Sequence, residues 1–557
     1  MLFTWHWKRK AIDLKTGSFE YTSEECKMAT EDEFTKEVCL ETDMQDGEMR
    51  EVEMNEQKVL LVKINGSFSA VGSKCTHYGA PLIKGALIGH RVRCPWHGAC
   101  FNVKTGDIED YPGLDSLPCF KVKVENGKVL VTANKLALEN SKRVKTMTPR
   151  DPHCSSTVLI LGGGPAGLVC AETLRQEGYL GKIILATKED NLPYDRTKLS
   201  KAMNMKTESI LLRPGDFFAA HDIEVWTDKE AVAVNTSKKM VKFKDGSVQQ
   251  YDQLLIATGS RPNKLKCSGA DLENVLLRTP DDANKIHELS SKKNVLILGS
   301  SFIGMEVAAY LSDKAASVCV VGSSKVPFQA VLGSDIGSTV MKMLEEHGVK
   351  FYMENTIKEL KGQNGKVKEA ILKSGTVLPV DVVLTGIGVA PESAFLSGSG
   401  IHLDSKGFII VDKHMQTNIQ GVFAAGDVAS FPLPLMNSKR VSIGHWQLAL
   451  AQGRSAALNM LKRKEVFNSV PFFWTSLLGK SIRYAGYGEG FTEIIMKGNP
   501  KEMKFLAFYI REENVVAVSS MNFDPAVARI AEILASGKQI SKAEAQSSEE
   551  DKWLKHF

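Results

Sequence analysis

Four residues in two short pairs are the part of this chain best suited to chemistry: Cys75-Thr76-His77 and, sixteen residues further on, Cys94-Pro95-Trp96-His97. A binuclear iron-sulfur centre with two thiolates on one iron and two imidazoles on the other needs one Cys and one His from each of two facing loops. Cys75, His77, Cys94 and His97 supply that set in order, at a separation a hairpin can close. Zinc is the rival. Zinc ribbons favour Cys-x-x-Cys pairs and zinc fingers a half made of two histidines, whereas each half here mixes one thiol with one imidazole.

The flanks lengthen the pattern, with Gly79-Ala80-Pro81-Leu82 after the first pair and Gly98-Ala99-Cys100-Phe101 after the second. With them the segment resembles Rieske [2Fe-2S] domains of the ferredoxin and ring-hydroxylating-dioxygenase kind, which implies an all-β electron carrier. It departs from the respiratory type, whose cluster loops are tied by a disulfide: Ala80 and Trp96 stand where those cysteines would fall, and Cys100 has no partner in the other loop. Ala99 and Phe101 replace that type's hydroxyl side chains. Fewer hydrogen bonds to the cluster favour a lower potential within the Rieske range.

Two further stretches suit dinucleotides. The run Val158-Leu159-Ile160-Leu161 leads into Gly162-Gly163-Gly164-Pro165-Ala166-Gly167 and a helical stretch. In that setting Gly162 makes the tight turn, Gly164 lets backbone approach a pyrophosphate, and Gly167 lets helix pack on strand, while the helix N-terminus stabilises the phosphate charge. Glu189, beyond the strand Ile183-Ile184-Leu185-Ala186, is the candidate for the ribose hydroxyls, with a solvated loop acid as the alternative. A second fingerprint follows Val295-Leu296-Ile297-Leu298, where Gly299, Ser301 and Gly304 are expected at a nicotinamide nucleotide and Ser301 replaces the middle glycine. Gly322 falls where an acid would mark NAD, so the choice between NAD and NADP is not legible.

These sites need a large, multidomain frame. The chain has 557 residues, 43% apolar and 24% charged, which is an ordinary globular composition too long for one core. A net charge of +5 is too mild to imply a nucleic-acid partner. Ten cysteines without a disulfide framework point to a reducing, intracellular compartment. No run approaches the roughly eighteen apolar residues that suggest a membrane span. Basic residues follow the apolar ones in the first ten positions, the reverse of a secretory signal, which leaves a weak mitochondrial presequence open.

The expected division is a flexible tail over residues 1–36, an all-β Rieske domain over 37–134 and a linker over 135–155. Then come an FAD-binding domain in two parts, 156–275 and 395–460, an NAD(P)-binding domain between them at 276–394, and an α+β interface domain with a polar tail at 461–557. The fold class is thus all-β followed by α/β followed by α+β.

Residues 155–460 also carry Ala257-Thr258-Gly259, Gly386-Ile387-Gly388 and Gly421-Val422-Phe423-Ala424-Ala425-Gly426-Asp427. With both fingerprints these resemble the two-dinucleotide-domain flavoprotein reductases. That resemblance implies that Ala257, Thr258 and Gly259 close over the flavin, Asp427 bonds the ribityl chain, Ala231 and Val232 line the adenine, and Gly388 belongs to the cofactor site. No redox-active cysteine pair follows the first fingerprint helix. In its place Pro193-Tyr194-Asp195-Arg196-Thr197-Lys198-Leu199-Ser200-Lys201 is similar to the Pro-Tyr-x-Arg-x-x-Leu-Ser-Lys motif of ferredoxin reductases and apoptosis-inducing factors. Arg196 and Lys201 are flavin ligands by that similarity. Phe472-Phe473-Trp474-Thr475 and Gly486-Tyr487-Gly488 look like the same branch's C-terminal domain, which implies Trp474 against the flavin, with core packing as the alternative. His445 and Trp446 are further candidates of this kind, and Glu306 is expected to shape the nicotinamide site.

A Rieske domain ahead of such a reductase resembles the apoptosis-inducing factor 3-like, mitochondrion-associated branch. The resemblance implies an oxidoreductase passing electrons from NAD(P)H through FAD to the 2Fe-2S cluster and on to an unknown acceptor, protein or small molecule, with a role in apoptosis and a mitochondrial or cytoplasmic location. A flavin is needed because a nicotinamide gives two electrons at once and the cluster takes one. A redox-sensing signalling protein with little turnover and the reductase component of an oxygenase stay open as alternatives. Oligomeric state is not legible.

Overall fold

The computed structural model describes residues 33–273 and 279–547. The first unit is all β. Its six-stranded antiparallel sheet runs in the order Glu33–Leu40, Lys128–Asn134, Cys119–Glu125, Ser67–Gly72, Gln57–Ile64 and Met49–Met54. In Lys128–Asn134 alternate residues Val129, Val131 and Ala133 are buried, as a period of two on a half-covered sheet requires. A second antiparallel sheet, Ala86–Ile88, Arg91–Arg93, Cys100–Asn102 and Ile108–Asp110, carries Cys94 and His97 in the turn between its second and third strands.

Order begins earlier than the expected tail allows. Glu33–Lys36 form part of a strand whose register pairs Glu33 with Asn134 and Lys36 with Val131. Phe34 and Val38 pack on the core behind it, and the Thr35 and Thr132 hydroxyls bond at 2.7 Å. The charged residues between them hid this period of two in the sequence. The rest of the expected tail, residues 1–32, lies outside the described residues.

Residues 135–155 are likewise no loose linker. A short helix, Lys135–Glu139, is capped by the Asn134 side chain. Arg143 donates to Leu117 O and Thr105 O, and the backbone at Thr148 and Asp151 donates to Arg175 O and Leu180 O. The segment is pinned to the units on both sides by backbone partners, which composition does not reveal.

The reductase is built on two parallel sheets. One runs Ile223–Trp226, Lys182–Ala186, Thr157–Leu161, Gln253–Ile256 and Val422–Ala424; the other runs Val349–Tyr352, Ser317–Val321, Asn294–Leu298 and Val382–Thr385. The last strand of the first sheet arrives only after the second sheet is complete, so the first unit is split by an insertion. The two crossings, Ser260–Pro262 and Val389–Pro391, pair antiparallel. The expected boundary at 275 and 276 lies outside the described residues. Val158, Leu159, Ile160 and Leu161 are all buried, as a strand covered on both faces must be.

The C-terminal unit is a five-stranded antiparallel sheet, Phe472–Leu477, Lys480–Gly486, Asn514–Met521, Lys504–Arg511 and Glu493–Asn499. The helix Ala526–Ala535 packs Val527, Ile530, Ala531 and Leu534 on its Phe472, Leu506, Phe508 and Val518. In the polar tail, Lys542–Gln546 form a helix capped by Ser541 and Glu544. Residues 548–557 lie outside the described residues.

Candidate functional site

The two cluster loops are built alike. Cys75 N donates to Ala80 O and Gly79 N to Cys75 O, and Cys94 N donates to Ala99 O and Gly98 N to Cys94 O. Gly79 and Gly98 close these turns in the left-handed region, at φ +75° and +76°. The Nδ1 atoms of His77 and His97 are thereby brought to 3.2 Å, and the Cys75 and Cys94 thiols interact. Among the described residues no three His, Cys, Asp or Glu side chains converge as a single metal ion needs. Two nitrogens together and two sulfurs together are instead the donors of a binuclear cluster. Burial pushes His77 down to about 4 and His97 to about 2, so both imidazoles are neutral, as ligation requires. Cys100 is buried and takes a hydrogen bond from Arg91 Nε at 3.2 Å, which leaves it a structural thiol.

A cavity of about 1340 Å³ lies where the two parallel sheets meet the C-terminal sheet. Gly162, Gly163, Gly164, Pro165, Ala166, Glu189, Arg196, Lys201, Ala231, Val232, Ala257, Thr258 and Gly259 all line it, as do Ser301, Glu306, Asp427, His445, Trp446 and Trp474. Gly167, Gly299, Gly304 and Gly388 do not. A Cβ at Gly167 or Gly304 would meet the first carbonyl of its own fingerprint at 2.1 Å, so both act in helix-on-strand packing behind the wall. Gly299, in the turn after its strand, lies against Gly386 O, and Gly388 turns the chain beside Asn263.

The walls fit a flavin and a nicotinamide nucleotide. A Cβ at Gly164 would meet nothing within 4 Å, so the fingerprint backbone is open to a pyrophosphate, while Gly162, at φ +121°, lies hard against Ala257 O. Val232, Ile303, Val331 and Val389 are exposed apolar residues that all open onto this cavity, surface an aromatic ring system would cover. The buried Nδ1 of His445 has no hydrogen-bond partner, and burial pushes that imidazole down to about 4. Asp427 accepts from Ser260 Oγ at 3.2 Å, with its carboxyl pushed up by burial. At Gly322 a Cβ would meet Ser300 Oγ at 2.7 Å, so no acidic side chain fits there without a shift.

Two ion pairs fix the cations of the Pro-Tyr-x-Arg motif. Glu189 accepts from Arg196 and from Tyr194 Oη, each at 2.8 Å, so its carboxylate is committed to placing Arg196 as well as bordering the cavity. Lys201 donates to Glu306 Oε2 at 2.8 Å; Ser200 donates to the same oxygen, and Thr475 Oγ1 donates to Oε1 at 2.7 Å. Glu306, buried, thus ties the second parallel sheet to the first and to the C-terminal sheet.

The cluster and the cavity adjoin through one ring. Trp474 lines the cavity, and its ring centroid lies 4.4 Å from His97 and 5.7 Å from His77. Around it the all-β unit is seated on the reductase by buried polar contacts. The fully buried Arg93 donates to Gly98 O at 2.8 Å, to Asp110 Oδ2 at 3.1 Å and to Glu532. Gln447 Nε2 donates to Asp110 Oδ1 at 2.6 Å, Arg483 Nε to Trp96 O at 3.0 Å and Trp446 Nε1 to Pro112 O at 3.3 Å. Trp446 therefore faces the all-β unit as well as the cavity.

Sequence reasoning passed over Arg93, Asp110, Gln447, Arg483 and Glu532. Arg93 sits in a short strand where a charged residue reads as solvated, and Glu532 lies 439 residues away. The one signal was local: Arg93 directly precedes a cluster cysteine.

Three family models match the chain. "Pyridine nucleotide-disulphide oxidoreductase" matches residues 156–453, "Rieske [2Fe-2S] domain" residues 34–121 and "Reductase C-terminal" residues 472–555. The chain belongs to the pyridine nucleotide-disulphide oxidoreductases, and a Rieske [2Fe-2S] domain precedes that fold. It is accordingly an NAD(P)H-dependent oxidoreductase whose cofactors are FAD and a 2Fe-2S cluster. Apoptosis-inducing factor 3 of Homo sapiens is 54% identical over 91% of this chain and 85% of that protein, and its Mus musculus counterpart 53% identical over the same shares. Rhodocoxin reductase of Rhodococcus erythropolis is 30% identical over 66% of this chain and 86% of its own length. Among solved structures, a ferredoxin reductase from Rhodopseudomonas palustris has a TM-score of 0.69 at 27% identity, covering 72% of this chain and all of that one. A chain of a covalent putidaredoxin reductase–putidaredoxin complex has a TM-score of 0.68 at 27% identity, covering 72% of this chain and 99% of that one.

Proposed function

We propose that this chain is a reductase with its electron carrier built in: NAD(P)H is the donor, the cavity holds FAD, Cys75, His77, Cys94 and His97 hold the cluster, and a separate one-electron acceptor takes the product electrons. When bound, the flavin accepts an electron pair and releases it singly, and the cluster carries one electron at a time. The protein's part is placement. Arg196, held by Glu189, neutralises the pyrophosphate opposite the open Gly164 backbone. Ser301 heads the helix Phe302–Leu311 on the nicotinamide side, and Glu306 holds Lys201 at the floor. Trp474 keeps water from the gap between the two centres and links them.

The observation that carries this reading is the Trp474 ring, in contact with the cluster histidines and bordering the flavin cavity at once. Anaerobic titration with NADH and then NADPH, followed by flavin absorbance and by the electron spin resonance of the cluster, tests it. Reduction of both centres supports the route; a bleached flavin beside an oxidised cluster sinks it. By resemblance to the mammalian relatives we extend the proposal to a mitochondrial association and a role in apoptosis. These are checked by locating the tagged protein in cells and by comparing cell death between the wild-type chain and a His77→Ala/His97→Ala chain.

A further inference from the structure

Both chain neighbours of His77 are tied to the reductase. On one side Thr76 Oγ1 donates to Asp115 O at 2.7 Å, and the Asp115 carboxylate makes an ion pair with Arg213 at 2.7 Å. Arg213 also donates to Glu172 at 2.8 and 3.0 Å, and Glu172 stands on the first fingerprint helix, Pro165–Gln176. On the other side Tyr78 Oη donates to Asp195 Oδ2 at 3.1 Å. The Tyr78 ring stacks on the His77 imidazole with centroids 3.8 Å apart and planes at 24°, and meets His97 edge-on at 5.5 Å.

Asp195 fills the open position of the Pro-Tyr-x-Arg motif. Arg196 and Thr197, which follow it, line the flavin cavity, and Asp195 does not. Its buried carboxylate works on two things at once. Oδ1 accepts from Thr197 N at 3.0 Å and Thr197 Oγ1 at 2.6 Å, which caps the turn Arg196–Lys198. Oδ2 takes the Tyr78 hydroxyl and lies 4.0 Å from Lys198 Nζ. The backbone beneath is fixed as well, since Asp195 N donates to Ile210 O at 2.8 Å.

The hydroxyl bond matters because packing alone does not fix this ring. Tyr78 is 45% exposed, and the outer torsion of a tyrosine or a histidine has broad wells. An imidazole that ligates a metal takes its orientation from what its ring meets, and those partners tune the centre it holds. A tyrosine pinned at its tip and stacked at its face restricts the imidazole beside it. That imidazole is also one of the two in contact with Trp474, at 5.7 Å.

We infer that Asp195 is a positioning residue for electron transfer into the cluster, acting through Tyr78 to hold the His77 imidazole in one orientation towards Trp474. This rests on the electron route proposed above. The turn that presents Arg196 to the flavin cavity and the ring that lies on the cluster ligand are set by the same carboxylate, so the two sides of the route share one reference point. Hydride delivery to the flavin does not pass through Tyr78; the single electrons that go on to the cluster pass the ligand it holds.

The test uses the full, cofactor-loaded chain and two readouts. One is the electron spin resonance of the cluster after chemical reduction with dithionite; the other is anaerobic stopped-flow mixing with NADH or NADPH, which times flavin bleaching and cluster reduction separately. Tyr78→Phe keeps the ring and removes the hydroxyl. It should shift or broaden the cluster spectrum and slow cluster reduction by roughly threefold or more, with flavin bleaching as in wild type. Asp195→Ala should show the same cluster defects. Asp195→Asn, whose amide can still cap the turn and bond the Tyr78 oxygen, should stay close to wild type. Tyr78→Phe/Asp195→Ala should slow cluster reduction no further than the worse single change, because both remove one contact. A Tyr78→Phe chain with the wild-type spectrum and rate overturns the inference, as do equal slowing of flavin and cluster in that variant, additive losses in the double variant, or an Asp195→Asn chain as impaired as Asp195→Ala. A wild-type cluster that dithionite reduces and NAD(P)H does not is a different failure: it sinks the route itself, and the positioning role with it.

Discussion

Trp474 and His97 lie 377 positions apart in the chain, yet their ring centroids lie 4.4 Å apart at 45°. Among the described residues no other ring both contacts the cluster histidines and lines the cavity. Trp474→Ala should therefore slow electron passage to the cluster by roughly tenfold or more, since loss of contact geometry is costly in rate. Trp474→Phe should lose less. Stopped-flow mixing with NADH separates the stages, and a variant whose cluster reduces as fast as wild type would show that the ring is only packing.

Arg93 and Glu532 make a second link. The guanidinium is fully buried and divided between Glu532, Asp110 and Gly98 O. Glu532→Ala leaves the buried cation with Asp110 as its one carboxylate beside Gly98 O and should cost about 3 kcal/mol, whereas Arg93→Met with Glu532→Met should cost much less than the sum of the single changes. A double-mutant cycle on thermal unfolding measures the coupling. Additive single and double costs would mean that the pair does not hold the Rieske domain on the reductase.

Much of this was legible because it is local. Cys75, His77, Cys94 and His97 lie within one hairpin-length stretch, and the backbone of each fingerprint is shaped by its own glycines, so spacing alone carried them. Glu306 was expected only to shape a site, and its three donors, Ser200, Lys201 and Thr475, come from two distant segments. Tyr78 carried no signal in the sequence, because its bond to Asp195 exists only once the units are seated. What sequence withheld was the junction, because contacts between separately folded units leave no period along either one.

Gly98 faces Phe472 across that junction. Its φ is +76°, and a Cβ there would lie 2.6 Å from the Phe472 ring. Gly98→Ala should cost about 1–2 kcal/mol for the left-handed backbone and a further penalty for the clash. Phe472→Leu in the same chain should return the clash portion alone. Unfolding by denaturant checks both. If Gly98→Ala and the double variant are equally destabilised beyond the effect of Phe472→Leu, the ring is not what excludes the methyl.

His445 gives the chain a defined acid sensitivity. Its buried imidazole has a folded value near 4, below the ordinary 6.5, and its Nδ1 has no partner. Between those values the unfolded chain binds a proton that the folded chain refuses. The contribution is therefore whole above about pH 6.5 and is lost as pH falls toward about 4, by at most about 3 kcal/mol at 1.36 kcal/mol per unit. Asp427 works in the opposite sense, because its carboxyl is pushed up by burial and the folded chain keeps that proton longer. The comparison with His445→Gln isolates the histidine. Denaturant unfolding of the cofactor-loaded protein across this range should show wild type losing stability faster than the variant as pH drops, and parallel profiles would mean that the imidazole takes up its proton without loss of the fold.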